Sequence, residues 1–236
     1  MPSMAPTLSA VLGIGLVLGF RHAFEPDHLA AVSTLATRQG SVLAACRLGL
    51  AWALGHTASV GMVALAIIVA GVRLPAPLWP AADVVVGLLL VGLGGSVIYR
   101  YARGRWHLHA HSHAPEAGTH LHLHSHAAGH AHVHGHPSAD ARQSLGFGLL
   151  HGLAGSAAVL VLLVTAAPTH ATQVAYFSAF GAGTMLGMVA VSATLATVIR
   201  LASRRGERWA QMLHLTSATA SLVVGVLLAA RTMREL

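Results

Sequence analysis

The chain has 236 residues, of which 55% are hydrophobic and 9% are charged, and its formal net charge is +7. A mean hydropathy of +0.66 excludes an ordinary soluble domain and indicates a protein that lies in a lipid bilayer. Every basic residue is an arginine, and no basic patch is interleaved with aromatic residues, so nucleic-acid binding is not predicted.

Six stretches are long and apolar enough to cross a bilayer, since a spanning helix needs about 20 mainly apolar residues. They are residues 8–35, 48–69, 81–99, 145–166, 172–198 and 212–230. No basic residue precedes Arg21, so the first stretch lacks the n-region of a cleavable signal peptide and is predicted to be a permanent span. The predicted fold class is an all-α, polytopic membrane protein with six transmembrane helices.

The arginines predict the orientation of these spans, because cytoplasmic loops of membrane proteins accumulate positive charge. Ten arginines fall at the first, third and fifth connections between spans. The opposite side carries three, Arg73, Arg231 and Arg234. We therefore expect both termini outside and the long middle loop in the cytoplasm, with the chain in the cytoplasmic (inner) membrane.

A polar cluster interrupts the first span between residues 21 and 28. On a regular helix, His22, Glu25 and His28 share one face at i, i+3 spacing, whereas Asp27 points elsewhere. Pro26 cannot donate a hydrogen bond to the His22 carbonyl, so the helix should kink or open there and bring Asp27 to the two imidazoles. Two imidazoles and a carboxylate suit divalent nickel, cobalt, copper or zinc.

The charges of this cluster predict a division of roles. Arg21 and Glu25 stand at i, i+4 and can neutralise each other, which leaves Asp27 as the negative charge that a cation would satisfy. The alternative is an interfacial ion-pair network in which the histidines only form hydrogen bonds. Ionisable groups inside a membrane are expensive and usually functional, which favours the metal site.

Four further histidines lie outside the cluster and the middle loop. His56 lies in the second predicted span, where a lone histidine is more often a buried polar contact than a ligand. His151 lies among glycines of the fourth predicted span and is a candidate fourth ligand, or a group that orients a ligand. His170 and His214 have no such context and are expected to have structural or surface roles.

The middle loop contains twelve of the eighteen histidines, in three blocks of His-x-His-x-His-x-His. They are His107, His109, His111, His113, His120, His122, His124, His126, His130, His132, His134 and His136. This is a metal-chelating composition that cannot build a core, so we expect disorder without metal and loss of affinity below about pH 6. The loop could buffer metal, feed an export site, sense saturation, or be a dispensable tether.

The two halves of the chain resemble each other. Helix 1 matches helix 4 at an offset of 127 residues, helix 2 matches helix 5 at 126, and helices 3 and 6 share a short match. Three-helix units in tandem must insert with opposite orientations, and secondary transporters often place substrate at such a repeat interface. The predicted domains are repeat 1 at 1–102, the cytoplasmic loop at 103–143 and repeat 2 at 144–236. Two merely similar hairpins are the alternative.

The motifs resemble those of a known family. The spacing His22-x4-Asp27-His28 is similar to the His-x4-Asp-His signature of the nickel/cobalt permease family. The segment Leu54-Gly55-His56-Thr57 is similar to that family's second signature. The resemblance implies metal binding by His22, Asp27, His28 and His56.

One departure bears on the direction of transport. Eight-helix uptake permeases of the family have further acidic motifs in later helices, whereas residues 148–156 here contain no carboxylate. High-affinity uptake is therefore not implied. The six-helix branch, with urease-associated nickel permeases and exporters that have a His-rich loop, is the closer match, and the direction stays open.

These observations together predict a secondary-type permease for nickel, cobalt or both, with zinc also suited to the ligands. Glu25 and His151 are further candidates as ligands or supporting groups. The chain has no nucleotide-binding motif of the Gly-x4-Gly-Lys type, so an ion gradient, the membrane potential or a partner must supply energy. The expected partners are the metal ion and the lipid bilayer, with a second copy of the chain or a metallochaperone as further candidates. No prosthetic group is predicted.

Three alternatives remain open at this point. An intramembrane metalloenzyme would need a general base, for which Glu25 is the only obvious candidate, and the His-Glu-x-x-His helix is absent, so an enzyme is not predicted. The single Cys46 excludes an internal disulfide and a Cys-x-x-Cys redox pair, which argues against an electron-carrying oxidoreductase. A metal sensor or adaptor that does not transport would not need the cluster in helix 1, and a carrier for another solute would tolerate loss of His22 and Asp27.

Overall fold

The computed structural model describes residues 8–36, 39, 41–70, 77–103, 106–111, 120–125, 137–153 and 169–234. Within these ranges the chain is mainly helical. The helices are α1 Leu8–His22, α2 Pro26–Ala36, α3 Val42–Ala70, α4 Leu78–Ala102, α5 Pro137–His151, α6 His170–Arg205 and α7 Glu207–Thr232. Two strands, β1 Trp106–His111 and β2 His120–Ser125, lie between α4 and α5.

Four helices, α3, α4, α6 and α7, are long and apolar enough to cross a membrane, and the bent pair of α1 with α2 is long and apolar enough to be a fifth candidate. The protein is therefore a multi-pass membrane protein. These five correspond to the first, second, third, fifth and sixth predicted spans. The predicted fourth span, 145–166, coincides with the end of α5, and its residues 154–166 lie outside the described part of the chain.

The first span breaks where Pro26 predicted a break. Helix α1 ends at His22, α2 begins at Pro26, and the two axes differ by 60°. A tight turn connects them, in which the Glu25 N–H donates to the His22 carbonyl at 3.0 Å. Proline is well suited to the first position of a helix, because its missing N–H has no partner to find there. The break puts Asp27 in the first turn of α2 instead of the middle of a continuous helix.

The long helix α6 has clear signals at both ends. At its start, Thr169 and Thr172 form a capping box in which each side chain accepts the other's backbone N–H at 3.2 Å. At its end, Gly206 adopts a φ of 131°, a backbone conformation that other residues rarely adopt. The chain turns there directly into α7.

The helices pack in pairs through glycines that let two backbones approach closely. Gly19 of α1 lies against the backbone of Phe180 in α6, and Gly148 of α5 lies against the backbone of Trp52 in α3. In both pairs the helices run parallel: the contacts of α1 with α6 advance together along both helices, as do those of α3 with α5.

The helices α4 and α7 cross in opposite directions. Gly87 contacts Ala229 near the start of α4 and the end of α7, and Gly94 contacts Ala218 further along. Helices α3 and α6 are also antiparallel, because Gly49 contacts Ser192 whereas Gly61 contacts Phe177. Large apolar side chains cover the outside of the bundle, which is the surface expected to face lipid. They include Val17, Leu65, Leu88, Leu186 and Leu227.

The middle loop differs in part from the prediction of disorder. Strands β1 and β2 pair antiparallel, with Trp106 opposite Ser125 and His111 opposite His120. The alternation of histidine with other residues has the period of two that strands require, and this gives a physical reason for the pairing. Six of the twelve loop histidines lie in these strands, and the other six fall outside the described residues.

Candidate metal centre

Four histidines and one aspartate from four helices meet inside the bundle. His22 ends α1, Asp27 and His28 begin α2, His56 lies within α3, and His151 ends α5. The exposed fractions of His28, His56 and His151 are 0%, 1% and 2%. The sequence motifs therefore bring together His22, Asp27, His28 and His56, and the candidate His151 joins them.

His22 contacts both the buried interior of the cluster and a half-exposed carboxylate at its edge. Its Nε2 lies 3.1 Å from Nε2 of His56, so one of these nitrogens donates to the other. Its Nδ1 lies 3.1 Å from Oε1 of Glu25, a half-exposed carboxylate that can accept the ring proton. A carboxylate at the far nitrogen is the usual partner of a metal-ligating histidine, because it fixes the tautomer and orients the ring.

The contact of Glu25 with His22 corrects the predicted pairing of Glu25 with Arg21. Arg21 is exposed, and no ion pair joins it to Glu25 in the described ranges. The prediction assumed a continuous helix, in which positions i and i+4 are neighbours. The turn that precedes Pro26 removes that spacing and directs Glu25 to His22.

Asp27 bridges two imidazoles. Its Oδ1 lies 3.2 Å from Nδ1 of His28, and its Oδ2 lies 2.9 Å from Nε2 of His151. The sequence predicted contact with His22 and His28, so one of the two partners differs. Asp27 lies in the first turn of α2, where the partial positive charge of a helix N-terminus stabilises a carboxylate.

Two ring nitrogens of the cluster have no hydrogen-bond partner among the described residues. They are Nε2 of His28 and Nδ1 of His56, both fully buried. A buried polar atom without a partner costs about 1–3 kcal/mol, so such atoms call for an explanation. A metal ion that accepts a nitrogen lone pair is one explanation, since neutral imidazole is a common ligand of nickel, cobalt and zinc.

The ligand atoms of the cluster form two groups of three. In each group all three atoms lie within 4.8 Å of one another. The first group is His22, His28 and His56, and the second is Asp27, His28 and His151. In both groups the ligand atoms are close enough together for one divalent ion to bind all three.

Two aromatic residues that the motifs did not single out flank the cluster. The ring centroid of Phe180 lies 5.3 Å from that of His22, and the centroid of Trp52 lies 5.4 Å from that of His151. Trp52 stands four residues before His56 in α3, so helical periodicity could have placed it on the same face. Phe180 offered no comparable signal.

The remaining histidines lie elsewhere. His214 is buried between α7 and α4, with its ring 5.8 Å from that of Tyr101. His170 is exposed at the start of α6 and bonds Gln173 at 3.1 Å. Both locations agree with the expected structural or surface roles.

Comparison with known proteins gives one informative relative. A protein of Bacillus sp. (strain TB-90) described as urease accessory protein UreH is 31% identical to this chain over 198 residues. The match covers 84% of this chain and 81% of that protein. No family model and no solved structure matches the chain.

Proposed function

Because this chain belongs to the nickel/cobalt permease family, we propose that it binds a divalent nickel or cobalt ion inside the membrane and carries it across. The observation that carries this proposal is the buried cluster of His22, Asp27, His28, His56 and His151. Its ligands are imidazoles and one carboxylate, which suit nickel and cobalt and also zinc. The description of the relative as a urease accessory protein favours nickel as the first ion to test.

The depth of the cluster supports a transport site. His22, His56 and His151 lie 14, 8 and 6 residues after the starts of their predicted spans at residues 8, 48 and 145. At 1.5 Å per residue these steps correspond to about 21, 12 and 9 Å, and the first is measured from the opposite side of the membrane to the other two. The hydrocarbon core of a bilayer is about 30 Å thick, so a site at this depth lies well inside the membrane.

The charge of the cluster also supports a cation site. A carboxylate near the middle of a span costs about 2.5–3.5 kcal/mol on insertion scales. The groups that contact Asp27 here are imidazoles, which need not carry charge. A divalent cation at this place would compensate the carboxylate directly.

We further propose that the two halves form a 3+3 inverted repeat. A residue of α1 corresponds to the residue of α5 that lies 129 positions later, and a residue of α3 corresponds to the residue of α6 that lies 128 positions later. The contact of Gly19 with Phe180 then corresponds to that of Gly148 with Trp52. In the same way, the contact of Leu16 with Gly183 corresponds to that of Leu145 with Gly55. These contact offsets exceed the sequence-match offsets by two residues.

The other helices support the same arrangement. Gly87 of α4 and Gly225 of α7 contact each other reciprocally, as residues on a twofold axis would, and this is the register of the short sequence match. Helix α5 runs parallel to α3, whereas α6 runs antiparallel to it. Successive helices that alternate in direction are what six crossings require. In this arrangement the arginine distribution predicts both termini outside and the histidine-rich loop in the cytoplasm.

Transport would proceed as one repeat moves against the other around the cluster and exposes it to each side in turn. In this scheme, the residues of the cluster bind the ion, and the Glu25 carboxylate holds the ring proton on Nδ1 of His22. Binding requires neutral imidazoles, so the metal and protons compete for the same groups. A proton gradient is therefore a suitable source of energy.

The test is flux of radiolabelled nickel into proteoliposomes that contain the purified chain. We expect saturable flux that is inhibited by cobalt more strongly than by manganese, because manganese prefers oxygen ligands. Zinc serves as a second competitor. The absence of saturable flux in a folded, correctly inserted protein would overturn the proposal.

The histidine-rich loop is proposed to concentrate metal rather than to form the transport site. Deletion of residues 107–136 should leave saturable nickel flux in place and lower the number of nickel ions bound per chain at pH 7.5, as measured by equilibrium dialysis. At pH 5.5 the native and deleted chains should bind more similarly, because protonated imidazole is not a ligand.

A full-length variant with all twelve loop histidines replaced by asparagine separates chelation from loop length. It should behave like the deletion. Complete loss of flux in both variants would show that the loop is part of the transport route.

A further inference from the structure

We propose that the transported ion occupies two ligand trios in succession and that His28 belongs to both. The outer trio is His22, His28 and His56, and the inner trio is Asp27, His28 and His151. This inference rests on the proposed function and specifies the path of the ion through the cluster. "Outer" and "inner" refer to the orientation that the arginines predict.

The geometry favours two places over one. The centroids of the His56 and His151 rings are 6.0 Å apart, whereas each lies closer to the ring of His28, at 5.1 Å and 4.3 Å. His28 is therefore central, and the trio-specific ligands lie on different sides of it. The ligand atoms fall into two trios that share His28 rather than into one set of five, and we place one position of the ion at each trio.

His28 is chemically able to serve both trios. An imidazole has two nitrogens, and each can ligate a metal when it carries no proton. Nδ1 of His28 contacts Asp27, a member of the inner trio, at 3.2 Å. Nε2 is buried without a hydrogen-bond partner and remains available for the outer trio.

The aromatic neighbours place the trios toward opposite sides of the membrane. Phe180 lies at the level of Gly19, one turn before His22 in α1. Trp52 lies at the level of Gly148, one turn before His151 in α5. Helices α1 and α5 run in opposite directions, because α1 is parallel to α6, α5 is parallel to α3, and α3 and α6 are antiparallel. Phe180 and Trp52 thus close the cluster from opposite ends.

The five rings form a continuous row. Successive centroid distances along Phe180, His22, His28, His151 and Trp52 are 5.3, 4.5, 4.3 and 5.4 Å. The offsets that relate the two halves convert His22 into His151 and Trp52 into Phe180. A path that is nearly symmetric about His28 offers the ion an equivalent histidine on either side.

A small cavity marks the inner end of this row. Its walls include Leu48, Trp52, Ser144 and Ser192, and the ring of Trp52 also contacts that of His151. Leu35 and Ala36 at the end of α2 line the cavity as well, so it lies near the connection of α2 with α3, on the predicted cytoplasmic side. The inner trio is the one that this cavity approaches.

The test compares four variants in the full-length chain whose twelve loop histidines are asparagine, with nickel as the probe. His56→Asn leaves the inner trio intact and His151→Asn leaves the outer trio intact. Each should raise the dissociation constant for nickel by less than about tenfold while flux falls by at least about tenfold. His28→Asn and the double variant that combines His56→Asn with His151→Asn each remove a ligand from both trios. Both should raise the dissociation constant for nickel by at least about 100-fold.

Cobalt provides a second readout that does not depend on flux. Bound to His56→Asn, it should have an absorption spectrum typical of mixed nitrogen and oxygen ligands. Bound to His151→Asn, its spectrum should indicate nitrogen ligands from protein. His214→Asn is the matched control, since His214 is a buried histidine outside the cluster, and it should leave the spectrum and the nickel affinity unchanged.

The outcomes separate this inference from the proposed function. If the native chain transports nickel but His56→Asn and His151→Asn weaken binding as strongly as His28→Asn does, the ion occupies one site and the two-trio path is wrong. If the native chain shows no saturable flux, the proposed function fails, and with it the succession of sites.

Discussion

Replacement of Asp27 by asparagine is expected to reduce saturable nickel flux by at least about 100-fold, the upper range for loss of groups that support a metal ligand. Asparagine has nearly the same shape, so the helix break and the packing should persist. What changes is the charge that faces His28 and His151, at 3.2 and 2.9 Å. Flux of radiolabelled nickel into proteoliposomes measures the effect.

Asp140→Asn is the matched control for this experiment. Asp140 lies in the first turn of α5, and the eleven helical steps from Asp140 to His151 correspond to about 16 Å along the helix. The same chemical change at this distance should leave flux within about twofold of native. Equal flux in native protein and Asp27→Asn would exclude a transport site built on this carboxylate and favour a carrier for another solute.

The parts of the candidate site that lie close together in sequence were predictable. His22, Asp27 and His28 lie within seven residues, and Pro26 dictates the break between the two helices through its missing N–H. Two pairings within this segment differ from the prediction. Glu25 contacts His22 instead of Arg21, because the break abolishes the helical spacing, and Asp27 contacts His151 instead of His22. Local chemistry was thus sufficient to predict that these side chains lie close together and insufficient to assign their partners.

Contacts between distant helices were harder to predict. Trp52 and Phe180 flank the cluster because of the register at which α3 meets α5 and α1 meets α6. In an apolar sequence, many registers bury similar area, and the match by residue identity differed by two positions from the match by contacts. Glycines select the register, because a backbone carbonyl of one helix can come this close to the other helix only where that helix has no side chain.

The loop shows another limit of reasoning from composition. Few apolar residues and many histidines indicate that no core can form, and this predicted disorder. A two-stranded pairing does not need a core of its own, and the alternating pattern of the segments suits a strand. Composition therefore predicted that the loop has no hydrophobic core, whereas the alternating pattern of its residues is what favours the strands β1 and β2.

Replacement of Gly148 by alanine is expected to separate α3 from α5 and to lower both stability and flux. A Cβ at this position would overlap the carbonyl oxygen of Trp52, which is backbone and cannot move aside alone. Overpacking of this kind costs about 1–3 kcal/mol, and here it also moves His151 away from His28. Thermal unfolding in detergent and nickel flux measure the two effects.

The chain supplies its own controls for the Gly148 experiment. Gly146→Ala places the same methyl group two residues earlier in α5, where nothing lies within 4 Å among the described residues, and it should be neutral. Gly19→Ala should reproduce the Gly148 effect, because its Cβ would overlap the Phe180 carbonyl in the equivalent contact. A Gly148→Ala protein as stable and active as Gly146→Ala would show that this helix pair does not hold the cluster together. A strong effect at Gly148 with none at Gly19 would instead argue against equivalent roles for the two halves.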